Sequence, residues 1–207
     1  MFSKLQYISQ GETAAMQLKN INEALDAGCS WVQLRFKNAE EYVLKATAEE
    51  VKKVCDTYSA TFIINDHPLT AKEVDADGVH LGLTDMLIRE AVEIVGVDKI
   101  IGGTANTLQD VLQRLEEGCS YIGLGPFRFT ATKAKLSPVL GLEGYKRIMD
   151  ELMQLNVDIP IYAIGGILTE DISSILQTGV YGIAGSGIIS HHPNKKELVK
   201  EINAYML

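Results

Sequence analysis

The 207-residue sequence predicts an α/β fold, a (β/α)8 TIM barrel occupying residues 1–207 as a single domain. Three observations carry this. Short apolar strands alternate with amphipathic helical segments along the whole chain, which makes the sheet parallel. The unit occurs eight times in 207 residues, which favours closure into a barrel over an open doubly wound sheet. A helix–glycine–strand junction also recurs: Ala27-Gly28-Cys29-Ser30-Trp31-Val32 returns as Glu117-Gly118-Cys119-Ser120-Tyr121-Ile122, with looser versions at Asp77-Gly78-Val79-His80 and Gly179-Val180-Tyr181-Gly182. Glycine at each junction suits a helix end, where a left-handed residue turns the chain back toward the sheet.

The strands are expected near 4–8, 31–35, 61–64, 78–81, 99–102, 120–124, 160–164 and 181–185, each a short run rich in Ile, Val, Leu or aromatic residues. Between them, Ala39 to Tyr58 and Thr107 to Glu117 place apolar residues at helical spacing. After the sixth strand the next helix is expected only near Leu142, leaving a long loop. Such loops are uncommon in compact domains and usually functional. Gly185-Ser186-Gly187-Ile188-Ile189 reads as an extra helical turn before a last helix from about Asn194 to Tyr205. A barrel often binds phosphate on the amides at that place, which argues against the open sheet.

Polar residues gather where these strands end, the arrangement by which a barrel builds an active site. Gln33, Arg35 and Lys37 alternate along one strand and so share a face. Arg35 offers a bidentate fork and Lys37 a point charge to an anion with several oxygens. Asp66 follows Asn65 at a strand end and Asp85 follows the next strand; two converging carboxylates suit Mg²⁺, a hard cation that prefers oxygen. Asp85 has a plainer reading as an acidic residue entering a helix. His80, beside apolar neighbours, reads as a packed and hydrogen-bonded side chain. In the long loop, Thr130, Thr132 and Lys133 suit a phosphorylated ligand, and Gly165-Gly166 with Ser186-Gly187 fits a backbone phosphate cradle.

Composition narrows the classes of function. A net charge of −8 argues against nucleic acid as a partner. Cys29, Cys55 and Cys119 are an odd number with no close pair, so neither a disulfide framework nor a thiolate metal site is expected, and a reducing cytoplasm fits best. No secretion signal or membrane-spanning stretch is read in the chain. The expectation is a soluble cytoplasmic protein with small-molecule ligands, no nucleic acid and no membrane; no oligomeric state is specified.

With these residues in place, the chain resembles the thiamine phosphate synthase (thiamine-phosphate pyrophosphorylase) family along essentially its whole length. The family's Gln-x-Arg-x-Lys strand is Gln33-Leu34-Arg35-Phe36-Lys37, its Asn-Asp pair is Asn65-Asp66 and its second metal aspartate falls on Asp85. A pyrimidine-contacting serine matches Thr104, the Thr-x-Thr-Lys loop is Thr130-Ala131-Thr132-Lys133, and the phosphate contacts match Gly166 and Ser186-Gly187. The chain departs from the family pattern at Leu83-Thr84, at Arg128-Phe129 in place of a tyrosine-proline pair, and at Ser186, which comes one place early.

The resemblance implies condensation of a pyrimidine diphosphate with a thiazole phosphate, in plain or carboxylated form, to thiamine phosphate and pyrophosphate. Mg²⁺ on Asp66 and Asp85, with the catalytic cations Arg35, Lys37 and Lys133, would neutralise the departing pyrophosphate. Gln33, Asn65 and Thr104 would position the pyrimidine, and Thr130, Thr132, Gly166, Ser186 and Gly187 the thiazole phosphate. Two rivals are weighed. A thiazole tautomerase of the same fold uses a histidine where this chain has Asn106, which is no general base at neutral pH. A non-catalytic phosphate-ligand sensor would have little need for paired carboxylates facing a basic loop.

Overall fold

Eight parallel strands hydrogen-bond in chain order and close on themselves. This computed structural model describes residues 2–129 and 138–205. The strands are β1 (Leu5–Ile8), β2 (Trp31–Leu34), β3 (Thr61–Asn65), β4 (Gly78–Leu81), β5 (Ile100–Ala105), β6 (Tyr121–Leu124), β7 (Ile161–Ile164) and β8 (Gly182–Gly185). The helices are α1 (Ala14–Asp26), α2 (Glu41–Tyr58), α3 (Pro68–Glu73), α4 (Ile88–Val95), α5 (Leu108–Glu116), α6 (Gly141–Gln154), α7 (Ile172–Leu176), the short α8 (Gly187–Ser190) and α9 (Lys195–Ala204). Closure is direct: Leu5 pairs with Ile183 and Tyr7 with Gly185.

Every expected strand is present, as are the extra turn after β8 and the late start of α6. Local chemistry sets several helix starts. Thr13 caps α1 by accepting from the Met16 N–H at 3.2 Å. Thr107 and Asp110 form a reciprocal capping box on α5, and Asn194 caps α9. Gly28 and Gly118 have φ of 102° and 86°, the left-handed turn the repeated junction called for. Gly78 departs from that expectation. It is the first residue of β4, and a Cβ there would lie 2.0 Å from the Ile100 carbonyl oxygen, so glycine serves close strand approach. The turn before it falls to Asp75, at φ 52°. β5 also runs three residues past its expected end, through Gly103-Thr104-Ala105, because β6 pairs with all three and β4 with Gly103.

Burial follows the two faces of the sheet. Outward-facing strand residues such as Val32, Phe62, Val79 and Ile122 pack with the buried stripes of the helices in one continuous core. Inward-facing residues form a second cluster, with Ile8, Trp31, Ile63, Tyr121, Tyr162 and Ala184 fully buried and Phe2, Ile100, Ile164 and Tyr181 against it. Trp31, Tyr121 and Tyr162 meet edge to face, with centroids 4.8–5.6 Å apart. This aromatic plug fills the N-terminal part of the barrel. The residues that follow the strands line the opposite, C-terminal mouth.

Candidate active site

Alternation along the strands carries polar side chains up the inside of the barrel toward this mouth. Gln33 is buried on β2, and its side-chain amide lies against the Tyr121 hydroxyl. Arg35 lies just past β2; its N–H donates to Ser9 Oγ at 2.9 Å and its carbonyl accepts from Gln17 Nε2 at 3.3 Å. Lys37 is exposed and lies beyond the strand, whereas Arg35 is half-buried.

Asn65 pairs in register with His80, and the Asp66 N–H donates to the His80 carbonyl at 2.9 Å. Asp66 adopts φ 66°, a left-handed conformation that aspartate tolerates better than most residues. Asp85 does not cap α4, whose N-cap is Leu87. It turns back instead, its Oδ2 accepting from the Gly82 N–H at 2.6 Å. A Cβ on Gly82 would sit 2.6 Å from that same oxygen, so a side chain there would push the carboxylate off this contact. The two carboxyls are close enough to interact directly. Burial, the Asp85 hydrogen bond and its charge raise Asp66 to about 7, against the opposing pull of Lys37 and Arg35. Burial acts on Asp85 too, but the hydrogen bonds from Asp66 and Gly82 and the charge of Lys37 hold it below the ordinary range.

These oxygens suit a hard dication. Among the described residues no cluster of three or more His, Cys, Asp or Glu could hold a metal alone. Asp66 and Asp85 would hold such an ion only with water and ligand phosphate as its further ligands, the habit of Mg²⁺.

Thr104, at the end of β5, is tied to His80, which the sequence reads as packed and hydrogen-bonded, and through it to Tyr121 and Gln6, which carry no local signal. Its Oγ1 is 3.0 Å from His80 Nε2, and His80 Nδ1 is 3.0 Å from the Tyr121 hydroxyl. Gln6 Nε2 donates to that hydroxyl at 3.1 Å. A consistent assignment has the phenol proton on His80 Nδ1 and the His80 Nε2–H donating to Thr104, whose own proton is left for the mouth. Burial raises Tyr121 well above the ordinary phenol range, so it stays neutral. Gly102 makes the arrangement possible: a Cβ there would lie 2.3 Å from the Tyr121 ring and 2.5 Å from His80 Nδ1. Buried Arg114 of α5 braces the strand ends, donating to the Thr104 carbonyl at 3.2 Å and the Gly82 carbonyl at 2.8 Å while paired to Glu117 at 2.6 Å.

On the other side of the mouth, Gly165 and Gly166 have φ of 93° and 70°. Ser186 precedes α8, and its hydroxyl donates to Gln10 Oε1 at 3.3 Å; Gln10 Nε2 is 2.8 Å from His191 Nε2. Gly187 opens α8. Arg128 meets Asp171 through two hydrogen bonds of 2.6 and 2.9 Å and covers the Phe127 ring. Asn106 is buried and donates to the Gly125 and Ala105 carbonyls, a bracing role. Thr130, Thr132 and Lys133 lie outside the described residues. The three cysteines are buried, and burial pushes each thiol up to about 12, so none is poised as a nucleophile.

Fold and site together define a (β/α)8 barrel whose C-terminal mouth pairs carboxylates and cations on one side with glycine turns on the other, the layout of a protein that handles phosphorylated small molecules. Residues 5–189 match the family described as thiamine monophosphate synthase. The thiamine-phosphate synthase of Flavobacterium psychrophilum is 57% identical over 98% of each chain, and that of Flavobacterium johnsoniae 54% identical over 98% of this chain and 96% of its own. Among solved structures, thiamine phosphate pyrophosphorylase from Pyrococcus furiosus superposes with a TM-score of 0.85 at 31% identity, covering 98% of this chain and 95% of that one. The chain belongs to the thiamine monophosphate synthase family.

Proposed function

We infer that this chain is a transferase that joins hydroxymethylpyrimidine diphosphate to thiazole phosphate, releasing pyrophosphate and forming thiamine phosphate. The observation that carries this is the convergence of Gln33, Arg35, Asn65, Asp66, Asp85 and Thr104 on one barrel mouth, in a chain 54–57% identical to thiamine-phosphate synthases.

The residues divide the work. The bond between the pyrimidine methylene and the diphosphate oxygen breaks, and the electron pair leaves with pyrophosphate. Arg35 and Lys37, with Lys133 from the β6–α6 loop, neutralise the charge that grows on the leaving group. Asp66 and Asp85 would hold Mg²⁺, which when bound adds dicationic charge beside the same oxygens. The Gln33 amide, with Asn65 and the Thr104 hydroxyl, orients the pyrimidine. Gly166, Ser186 and Gly187, joined by Thr130 and Thr132, hold the thiazole phosphate so that the thiazole nitrogen lone pair faces the exposed methylene. No side chain is needed as a covalent nucleophile.

The tautomerase reading is disfavoured by Asn106, whose amide is committed to the Gly125 carbonyl. The test is a pyrophosphate-release assay with both heterocycles and Mg²⁺, each component omitted in turn, with thiamine phosphate identified by mass. Release that needs all three components is expected. Folded chain giving no thiamine phosphate, or only proton exchange on the thiazole, would overturn the assignment.

A further inference from the structure

The geometry points to Arg128 as the positioning residue of the phosphate half-site, an assignment that rests on the cradle role given above to Gly166. Three consecutive carbonyls at the end of β7 turn toward the segment that extends β6. The Ile164 carbonyl accepts from the Phe127 N–H at 2.9 Å and the Gly165 carbonyl from the Arg128 N–H at 3.0 Å. The Gly166 carbonyl accepts from Arg128 Nη1 at 2.7 Å. A regular strand alternates its carbonyls between two sides; the left-handed φ of Gly165 and Gly166 lets three in a row face one way.

A trans peptide sets N–H opposite C=O. The N–H groups of Gly165, Gly166 and Ile167 are therefore directed away from β6. Since β7 lies between β6 and β8, they face the end of β8, where Ser186 and Gly187 begin α8. Among the described residues no acceptor meets the Gly166 or Ile167 N–H. Successive amides converging in this way form an anion-binding concavity. Arg128 supplies two of the three contacts that hold it open, one from its backbone and one from its side chain.

The guanidinium is itself held. Asp171 grips it with both oxygens, while Asp171 Oδ2 also accepts from the Leu168 N–H at 2.8 Å. The Asp171 side chain is only 13% exposed, so without Arg128 a carboxylate would stand uncompensated beside the half-site. Arg128 thus presets the amides and cancels a charge that would repel phosphate, without needing to touch the ligand. Lysine cannot do both, since it lacks the planar fork.

The test follows the Gly166 and Ile167 amides by ¹⁵N–¹H NMR of the full chain titrated with inorganic phosphate, and in parallel the steady-state kinetics. In the wild type both amides should shift with phosphate. Arg128→Ala should weaken that binding about ten-fold and raise KM for thiazole phosphate by a similar factor, given the lost hydrogen bond to the Gly166 carbonyl and the two lost to Asp171. KM for the pyrimidine diphosphate and kcat should stay within about two-fold of wild type, a split that general damage to the barrel would not produce. Should Arg128→Ala fail to fold, Arg128→Lys should show a smaller change in the same direction. Unmoved amides in the wild type, or unchanged phosphate affinity in the variants, would overturn the inference. A wild type that makes no thiamine phosphate would overturn the proposed reaction instead, with the titration still deciding the role of Arg128.

Discussion

His80 Nε2 lies 3.0 Å from the Thr104 hydroxyl, so a buried ring on β4 fixes the rotor of a side chain at the mouth on β5. The same ring is held from below by Tyr121, which links the floor of the barrel to its reactive end.

Tyr121→Phe should show that link. Removing the hydroxyl leaves Gln6 Nε2 and His80 Nδ1 without their shared partner, at a cost of about 1–3 kcal/mol in stability. With His80 no longer oriented, KM for the pyrimidine diphosphate should rise several-fold while KM for thiazole phosphate holds. Denaturant unfolding and separate substrate titrations measure the two effects. A uniform rise in both constants would mean that the network does not act through Thr104.

Gly102→Ala tests how tightly this interior is filled. The new methyl would fall within 2.5 Å of both the Tyr121 ring and His80, and neither has room to retreat inside a closed barrel. A loss of about 1–3 kcal/mol or more is expected from overpacking. An unaltered urea midpoint would show that the ring can shift.

Asp66→Ala and Asp85→Ala should each lower turnover on the order of a hundred-fold or more, with the barrel still folded by circular dichroism. Chelation of divalent metal should do the same to the wild type. Full turnover in either variant, or with chelator present, would remove the metal from the site.

Lys133→Ala and Thr132→Ala should separate the two halves of the reaction. The lysine charge acts where negative charge develops, so its loss should slow the chemical step. The threonine hydroxyl contributes a positioning hydrogen bond of roughly 0.5–1.5 kcal/mol, so its loss should weaken thiazole phosphate binding. Single-turnover and steady-state measurements distinguish these. A lysine variant altered only in thiazole affinity would place that charge on the other substrate.

The Arg128–Asp171 pair has a pH signature. Its hydrogen bond to Arg128 holds Asp171 below the ordinary carboxylate range. A carboxyl depressed on folding contributes stability that is fully present above its unfolded pKa of about 3.9 and is lost as pH falls through the lower folded value. The stability difference between wild type and Asp171→Asn should therefore be constant above about pH 5 and shrink toward zero in stronger acid. Urea midpoints across this range give the answer; a difference that persists unchanged at the acid end would contradict the pairing.

How much of this could be read from the sequence depended on whether the signal was local. The strands were legible because each is an apolar run bounded by glycine or polar residues, and Gln33 and Arg35 because period-two alternation fixes their face. Gly103-Thr104-Ala105 carries no apolar pattern to announce the end of β5; pairing with β6 extends the strand through it. The hydrogen-bonded state of His80 was anticipated, but its partner Tyr121 is 41 positions away and meets it only across the barrel. Arg128 stood out only as a departure from an aromatic residue. Asp171 lies 43 positions downstream in a different loop, with nothing local to announce the pair.

The closing contact of Leu5 and Tyr7 with Ile183 and Gly185 also has a consequence during synthesis. The strand that β1 needs on its open side is the last one to leave the ribosome. Until then the nascent chain carries an unsealed sheet whose first strand offers bare amides and carbonyls to any passing strand. A stalled or truncated message ending before β8 would release a polypeptide with seven strands and a permanently sticky seam, a natural client for chaperones and proteases.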